Sequence, residues 1–363
     1  MDPVSVNGET APVRRSARKA RRERRKQQRR RFTRKLLLGT VTTGFVLSGL
    51  SVLAGIATPW GNHLRMVLAE TIITTRHYYL ARYITTGKEY SELWAQLHAP
   101  VVGTGVSKTV SVSPPPVHVV PKPPVVIQDV SGPGYKGYVM LVHDPKLVRL
   151  VAANVHNGMG EYITTMASRV GALAGTNASG FEDPKGEGWG GIPVGLEFIG
   201  GQVISQSRSD SSWATVGFTN DGVMVMGNYT PAQLTHMGVR DAMQFHPELV
   251  VNGKPTITVG DGGWGYGPRT AIGQARDGTV IFVVINGRFN DSGMGASQKQ
   301  VMDIMLQYGA FNACAMDGGS SSVLVHAGKV VNSPSTIDPN HQRHLPDAWL
   351  VFATEAQAQS YHP

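Results

Sequence analysis

The densest chemistry in this chain lies between Asn286 and Ser322. Asn286, Arg288, Ser297, Asp317 and Ser320 bring an amide, a guanidinium, two hydroxyls and a carboxylate into one short stretch. Arginine presents a planar fork matched to the paired oxygens of a phosphate or a carboxylate. A carboxylate serves as acid, base or nucleophile. Gly318 and Gly319 follow Asp317 and let backbone approach a ligand closely. An Asp-Gly-Gly sequence is also an ordinary turn in which Asp accepts local N–H bonds, and the residues alone leave both readings open.

These groups need elements to hold them. The runs 279–285 and 310–316 are short, apolar and bounded by glycine and polar residues, which predicts two buried strands. Between them Ser297 and Gln300 have capping-box spacing, and Val301, Ile304, Met305 and Tyr308 share one helical face. Gly309 stands where a helix-terminating glycine belongs. If the two strands are parallel, the crossover brings both polar loops to one sheet edge, where α/β sheets bind ligands. A helix beginning at Ser297 would add N–H donors for an anion.

The chain has 363 residues and a net charge of +9, but the average misleads. Residues 1–35 hold 14 Lys+Arg against 3 acidic residues, a net of +11, and the remainder holds 20 against 22, a net of −2. The body therefore carries no nucleic-acid footprint. Residues 36–58 contain no charge, are long enough to span a bilayer, and are followed by Pro59-Trp60. This predicts a single-pass, uncleaved signal-anchor with the basic tail (1–35) cytoplasmic and the rest extracytoplasmic. Residues 59–99 read as a helical stalk and the proline-rich 100–130 as a spacer. The catalytic-looking body is expected at 131–356, with a tail at 357–363. The single cysteine, Cys314, falls in a predicted strand and reads as an inert core thiol.

The body predicts short strands broken by glycine turns, with helices near 162–170, 231–237 and 298–308. The fold class is α+β, a sheet-rich single globular domain with few helices, preceded by the transmembrane helix and stalk. His341 and His344 flank Arg343 in a polar loop that reads as solvated. Glu182, Asp183 and Glu187 form an acidic Gly/Pro loop, a candidate lid with a second carboxylate. Asp261 lies in a glycine-rich run with Trp264 and Tyr266, which are placed to stack on a sugar ring.

The ordered set Gly175-Thr176-Asn177-Ala178-Ser179-Gly180-Phe181, Gly191-Ile192-Pro193-Val194-Gly195, Pro268-Arg269-Thr270-Ala271-Ile272-Gly273, Asn286-Gly287-Arg288, Gly295-Ala296-Ser297 and Met316-Asp317-Gly318-Gly319-Ser320-Ser321-Ser322 resembles the phosphodiester glycosidase family over residues ~135–352. Two positions depart from it: Asn286 stands where the family often has Asp, and Ser320 where it has a third Gly. The resemblance implies hydrolysis of a glycosyl-1-phosphodiester in a cell-surface polysaccharide or teichoic-acid-like polymer. It implies catalytic roles for Asp317, Arg269, Arg288 and Asn177. Substrate contacts fall to Ser297, Asn286, Thr270, Gly318, Gly319 and Ser320. Arg269 and Arg288 would clamp phosphate, Asp317 would act at the anomeric carbon, and Asn177 would hold sugar hydroxyls. No cofactor is predicted, and the sequence leaves a divalent metal open. Partners are a sugar-phosphate or polysaccharide substrate and the membrane, not nucleic acid. A glycosyl or phosphoryl transferase of exopolysaccharide assembly, or a non-catalytic glycan-binding envelope protein, is compatible with the same residues.

Overall fold

A computed structural model describes residues 39–44, 46–51, 53, 58–75, 77–98, 123–183, 188–207, 214–288, 293–336 and 338–363. Its contacts divide the chain into two units, residues 1–66 and 67–363. In the first, the described residues between 39 and 53 are helical, with Val46, Leu47, Leu50 and Leu53 exposed. Among the described residues no helix is long and apolar enough to cross a membrane. The rest of the expected span, 36–58, and the whole basic tail lie outside the described residues.

The strands of the second unit are, in chain order, β1 (Val125–Gly132), β2 (Tyr135–Val142), β3 (Val148–Ala152), β4 (Ala174–Asn177), β5 (Gly195–Ile199), β6 (Gln202–Ser207), β7 (Ala214–Thr219) and β8 (Met224–Gly227). They continue with β9 (Val239–Phe245), β10 (Glu248–Val251), β11 (Lys254–Pro255), β12 (Thr270–Ala275), β13 (Val280–Ile285), β14 (Ala310–Met316), β15 (Leu324–His326), β16 (Lys329–Val330) and β17 (Asp347–Val351). The helices are α1 (Pro59–Ile73), α2 (Gly87–His98), α3 (Ile163–Val170), α4 (Pro231–His236), α5 (Gln298–Gln307) and α6 (Glu355–Ser360). Few helices and much sheet make this an α+β domain.

The strands form three sheets, in the orders β1-β2-β13-β12-β14-β10-β11, β16-β15-β4-β17-β3 and β6-β5-β9-β7-β8. All pairs are antiparallel. Because β12 runs against both β13 and β14, those two strands are parallel to each other with β12 between them. One buried cluster draws side chains from all three sheets, with Phe218 meeting Trp349 edge-on at 5.5 Å. Helix α5 lays Val301, Ile304 and Met305 into that core, as its spacing predicts. Cys314 is fully buried, and burial pushes its thiol far above the reactive range.

Three boundaries differ from the sequence reading. The folded body begins at Val125, because β1 pairs along its full length with β2, so 125–130 is strand and not spacer. The terminal tail belongs to the body. Arg149 donates to the carbonyls of Ala358 and Tyr361 and forms a buried ion pair with Asp241 (2.6 Å). Residues 67–98 fall in the same unit as the body, and Thr71 Oγ1 accepts from the Tyr266 N–H (3.3 Å). Strand β9 also escaped the pattern. Its Arg240 and Asp241 side chains are both buried and bonded to β3.

Candidate active site

The register fixes where the polar groups meet. Thr270 opens β12 opposite Val284 near the end of β13 and opposite Met316 at the end of β14. Arg269, Asn286 and Asp317 therefore emerge at one edge, which meets the condition the sequence left open. From the second sheet, β4 delivers Asn177 to the same place. Its amide nitrogen donates to the Asp317 carbonyl (2.7 Å), and its oxygen accepts from the Thr270 hydroxyl (3.0 Å) and the Val323 N–H (3.3 Å). The Thr270 hydroxyl also bonds Ser322 Oγ (3.0 Å). Asn177 is fully buried with donor and acceptor both occupied, and Thr270 is 1% exposed. Both residues weld two sheets beneath Asp317.

Asp317 keeps part of its surface open to solvent. Burial raises its pKa, while the Ser321 hydroxyl, the Arg343 charge and the Gly318 N–H pull it back. Of the glycines after it, Gly318 is required by space and Gly319 by its backbone conformation. A Cβ on Gly318 would sit 2.9 Å from the Pro268 carbonyl, and Gly319 has φ +63° while donating to that carbonyl (2.9 Å). Ser320, the departure from the family's third glycine, accepts from Arg343 Nη1 (2.9 Å). The Arg343 guanidinium lies 4.4 Å over the Phe181 ring and 4.0 Å from Asp183 Oδ2. Arg343 is thus the guanidinium beside Asp317.

The two arginines that the motifs single out are placed differently. Arg269 is buried, and its donors go to the carbonyls of Trp264 (2.7 Å), Gly265 (2.9 Å) and Ala296 (3.2 Å). Burial, then the neighbouring Arg288 charge, lower its pKa to about 10. Arg288 donates to the Tyr266 carbonyl (3.1 Å), and its buried Nε has no hydrogen-bond partner. Together they brace the glycine-rich loop 260–267. Arg269 Nη1 still reaches toward the Asp317 turn, 3.8 Å from where a Cβ on Gly318 would lie.

Ser297 caps α5 through a reciprocal bond pair with Gln300, and the Lys299 N–H donates to the Asp261 carbonyl (3.0 Å). The helix N-terminus is thereby engaged by protein groups. Asn286 accepts from the Ser333 N–H (3.1 Å) and fixes the returning loop. Asp261 Oδ1 accepts from the Gly263 N–H (2.8 Å), and Glu70 beside it is raised to about 7 by burial and by the Asp261 charge. Trp264 meets His246 edge-on at 5.0 Å. Asp183 accepts from the Gly188 N–H (2.9 Å), and Glu187 lies outside the described residues. His344 stacks on Tyr162 at 4.2 Å. Among the described residues no group of three His, Cys, Asp or Glu side chains is placed to hold a metal ion.

Two carboxyls near this edge escaped the sequence reading. Asp347, fully buried at the start of β17, accepts from the Ser179 N–H (2.8 Å) and hydroxyl (2.5 Å). Burial lifts it to about 6 against those bonds, and the Asp317 charge adds to the lift. Glu197 on β5 is pushed up to about 9, first by burial and then by Asp347. One signal was available: Glu197 is a lone carboxyl inside an apolar strand, Gly195-Leu196-Glu197-Phe198-Ile199, which turns out buried at all five positions.

Residues 170–352 match the family model described as phosphodiester glycosidase. A curated relative, the SPbeta prophage-derived uncharacterized protein YomE of Bacillus subtilis (strain 168), is 30% identical over 184 residues, covering 48% of this chain. The chain spans only 27% of that relative's length. Among solved structures, the zebrafish N-acetylglucosamine-1-phosphodiester alpha-N-acetylglucosaminidase catalytic domain, described as auto-inhibited by its pro-peptide, superposes with a TM-score of 0.55 at 18% identity. The match covers 69% of this chain and 89% of that one, and at this identity it speaks to the fold. A hypothetical protein from Synechocystis gives a TM-score of 0.42 at 17% identity over 62% of each chain. Matched across half its length by the family model, and with that model's region holding Asn177, Asp317 and Arg343, the chain belongs to the phosphodiester glycosidase family.

Proposed function

We propose that this chain hydrolyses glycosyl-1-phosphodiesters at the edge where β12 begins and β14 ends. The observation that carries the reading is the grouping of Asp317, Ser320 and Arg343 on a family-matched scaffold. The Arg343 fork and Ser320 hydroxyl would meet phosphate oxygens. The Asp317 carboxyl would act at the anomeric carbon as nucleophile or base. The departing phosphodiester oxygen is a weak base, so the reaction makes little demand on a general acid. The non-catalytic alternative leaned on Asn286. That residue accepts a backbone N–H, a role Asp fills equally well, so the departure there does not argue against catalysis. Envelope polymer as substrate and a single-pass anchor at 36–58 complete the proposal, supported by the basic tail and the uncharged stretch. The test is release of free sugar from an N-acetylglucosamine-1-phospho-ester by the full chain. Asp317→Asn should abolish release, by at least about a hundredfold for loss of a general base or nucleophile, with the melting temperature kept. Near-wild-type release by Asp317→Asn would sink the proposal.

A further inference from the structure

Residues 77–98 present an aromatic face to solvent, and the proposed reaction assigns it no role. A 3₁₀ turn, Tyr78–Tyr83, leads into α2. Among the described side chains of this stretch only Ala81 and Leu93 are buried. Tyr78, Tyr79, Tyr83 and Trp94 are 42%, 49%, 83% and 37% exposed. The rings are gathered. Tyr78 meets Tyr79 edge-on at 6.3 Å and Trp94 at 5.2 Å, and Tyr90 stacks on Trp94 at 6.1 Å. The Arg82 guanidinium lies 4.7 Å over the Tyr90 ring. Turn and helix thus share one aromatic patch with a cation at its border. A contiguous apolar patch of a few hundred Å² marks a surface that a protein or a membrane covers.

Composition, area and position select between the two. Tyrosine and tryptophan join an apolar body to a polar tip, and such rings settle at the headgroup boundary of a bilayer. Taking about 200 Å² for a whole ring side chain, the four exposed rings present roughly 400 Å². A stable protein–protein contact takes about 800 Å² from each partner, whereas shallow insertion into a bilayer gains in proportion to whatever apolar area it buries. Tyr78 stands 20 residues beyond Thr58, where the uncharged stretch ends. Helix α1 supplies 15 of them. At about 1.5 Å per helical residue the patch stays within roughly 40 Å of that end. Lys88 pairs with Glu92 (3.8 Å) and Glu89 accepts from the Thr86 N–H (2.7 Å), which leaves Arg82 as the charge beside the rings, matched to lipid phosphate.

We infer that this aromatic patch rests on the extracytoplasmic face of the bilayer that residues 36–58 cross, with its rings at the headgroup boundary and Arg82 at the lipid phosphates. This rests on the reading of 36–58 as an anchor. Residues 77–98 then form no upright stalk; they hold the body against the membrane. The test places the full chain, one copy per disc, in phosphatidylcholine nanodiscs, with a fluorophore on Tyr83→Cys. Position 83 is the most exposed of the rings, so its replacement leaves the Tyr78, Tyr90 and Trp94 contacts in place. The native thiol of Cys314 is buried and takes no label. Lys329→Cys, exposed on β16, is the control. Quenching by shallow and deep spin-labelled lipids should place the label at 83 about 5–10 Å into the headgroup boundary. Iodide in the water should quench the label at 329 and spare the one at 83. Adding Tyr78→Ser and Trp94→Ser should return the label at 83 to water with the chain still in the disc. A label at 83 as open to iodide as that at 329, in a chain seated in the disc, overturns the docking alone. A chain that elutes free of discs overturns the anchor reading and the docking with it. Shielding at 83 that appears only when two copies share a disc assigns the patch to a second copy and also overturns the inference.

Discussion

Replacing Glu197 by Gln should make the protein less sensitive to alkaline pH. In the unfolded chain this carboxyl titrates near the ordinary 4.5, whereas in the folded protein burial and Asp347 hold its proton to about 9. Between those values the folded state binds a proton that the unfolded state has released. The stability from this group is fully present below about 4.5 and is lost as pH rises through about 9. One proton corresponds to a slope of about 1.4 kcal/mol per pH unit. From pH 5 to pH 8 the loss reaches about 4 kcal/mol, an upper figure because Asp347 titrates with it. Glutamine keeps the shape and carries no proton to lose. It leaves a buried amide without a partner, at a pH-independent cost of roughly 1–3 kcal/mol. The stability curves of the two proteins should therefore cross. Glu197→Gln should be equal or weaker at pH 5 and stronger at pH 8. Urea unfolding across pH 5 to 9, with each curve fitted for midpoint and slope, reads this directly. Glu70, a raised carboxyl outside this pair, tilts both curves alike, so the difference between them reports Glu197 together with its coupling to Asp347. Parallel curves with no crossing would refute the protonated, buried state of Glu197.

The remaining expectations concern the arginines and the anchor. Arg343→Lys should lower kcat/KM on a sugar phosphodiester by roughly tenfold to a hundredfold, for the loss of a bidentate charged contact, with little change in melting temperature. An unchanged kcat/KM would remove Arg343 from the site. Arg269→Met should chiefly destabilise, by roughly 2–4 kcal/mol, because it orphans the carbonyls of Trp264, Gly265 and Ala296. A raised KM with unaltered unfolding would return Arg269 to the substrate. In intact cells an external protease should remove the 125–363 body and spare the basic tail, and protection of the whole chain would exclude the proposed orientation.

Much of the site's location was legible because its signals are local. The capping box at Ser297 and Gln300 forms as its spacing predicts, since an N-cap depends only on residues three apart. The runs ending at Ile285 and Met316 are strands that terminate together, and the Asp317-Gly318-Gly319 turn needs a glycine at 318 because a Cβ would crowd the Pro268 carbonyl and one at 319 because φ is +63°. What misled was burial. Strand β9 carries Arg240 and Asp241, and no local pattern shows that Arg149, some 90 positions earlier, also pairs with Asp241 inside the core. The segment 125–130 looked like spacer because strand pairing with β2 is invisible in a proline-flanked run.

The sequence by itself determined which chemical groups gather at this edge: the motifs carry an amide, a carboxylate, glycines and arginines, and short-range rules bring them to strand ends. Only the tertiary structure decided which of them face outward. Arg269, Arg288 and Asn177 spend their hydrogen bonds on the backbone and on neighbouring side chains, while Arg343, from a loop that reads as solvated, stands beside Asp317 and Ser320. Glu197 and Asp347 lie on strands of different sheets, 150 positions apart, and interact only because those sheets pack together. A side chain's direction and its dielectric surroundings are set by such packing, and those two quantities turn an ordinary carboxyl into a proton donor at neutral pH.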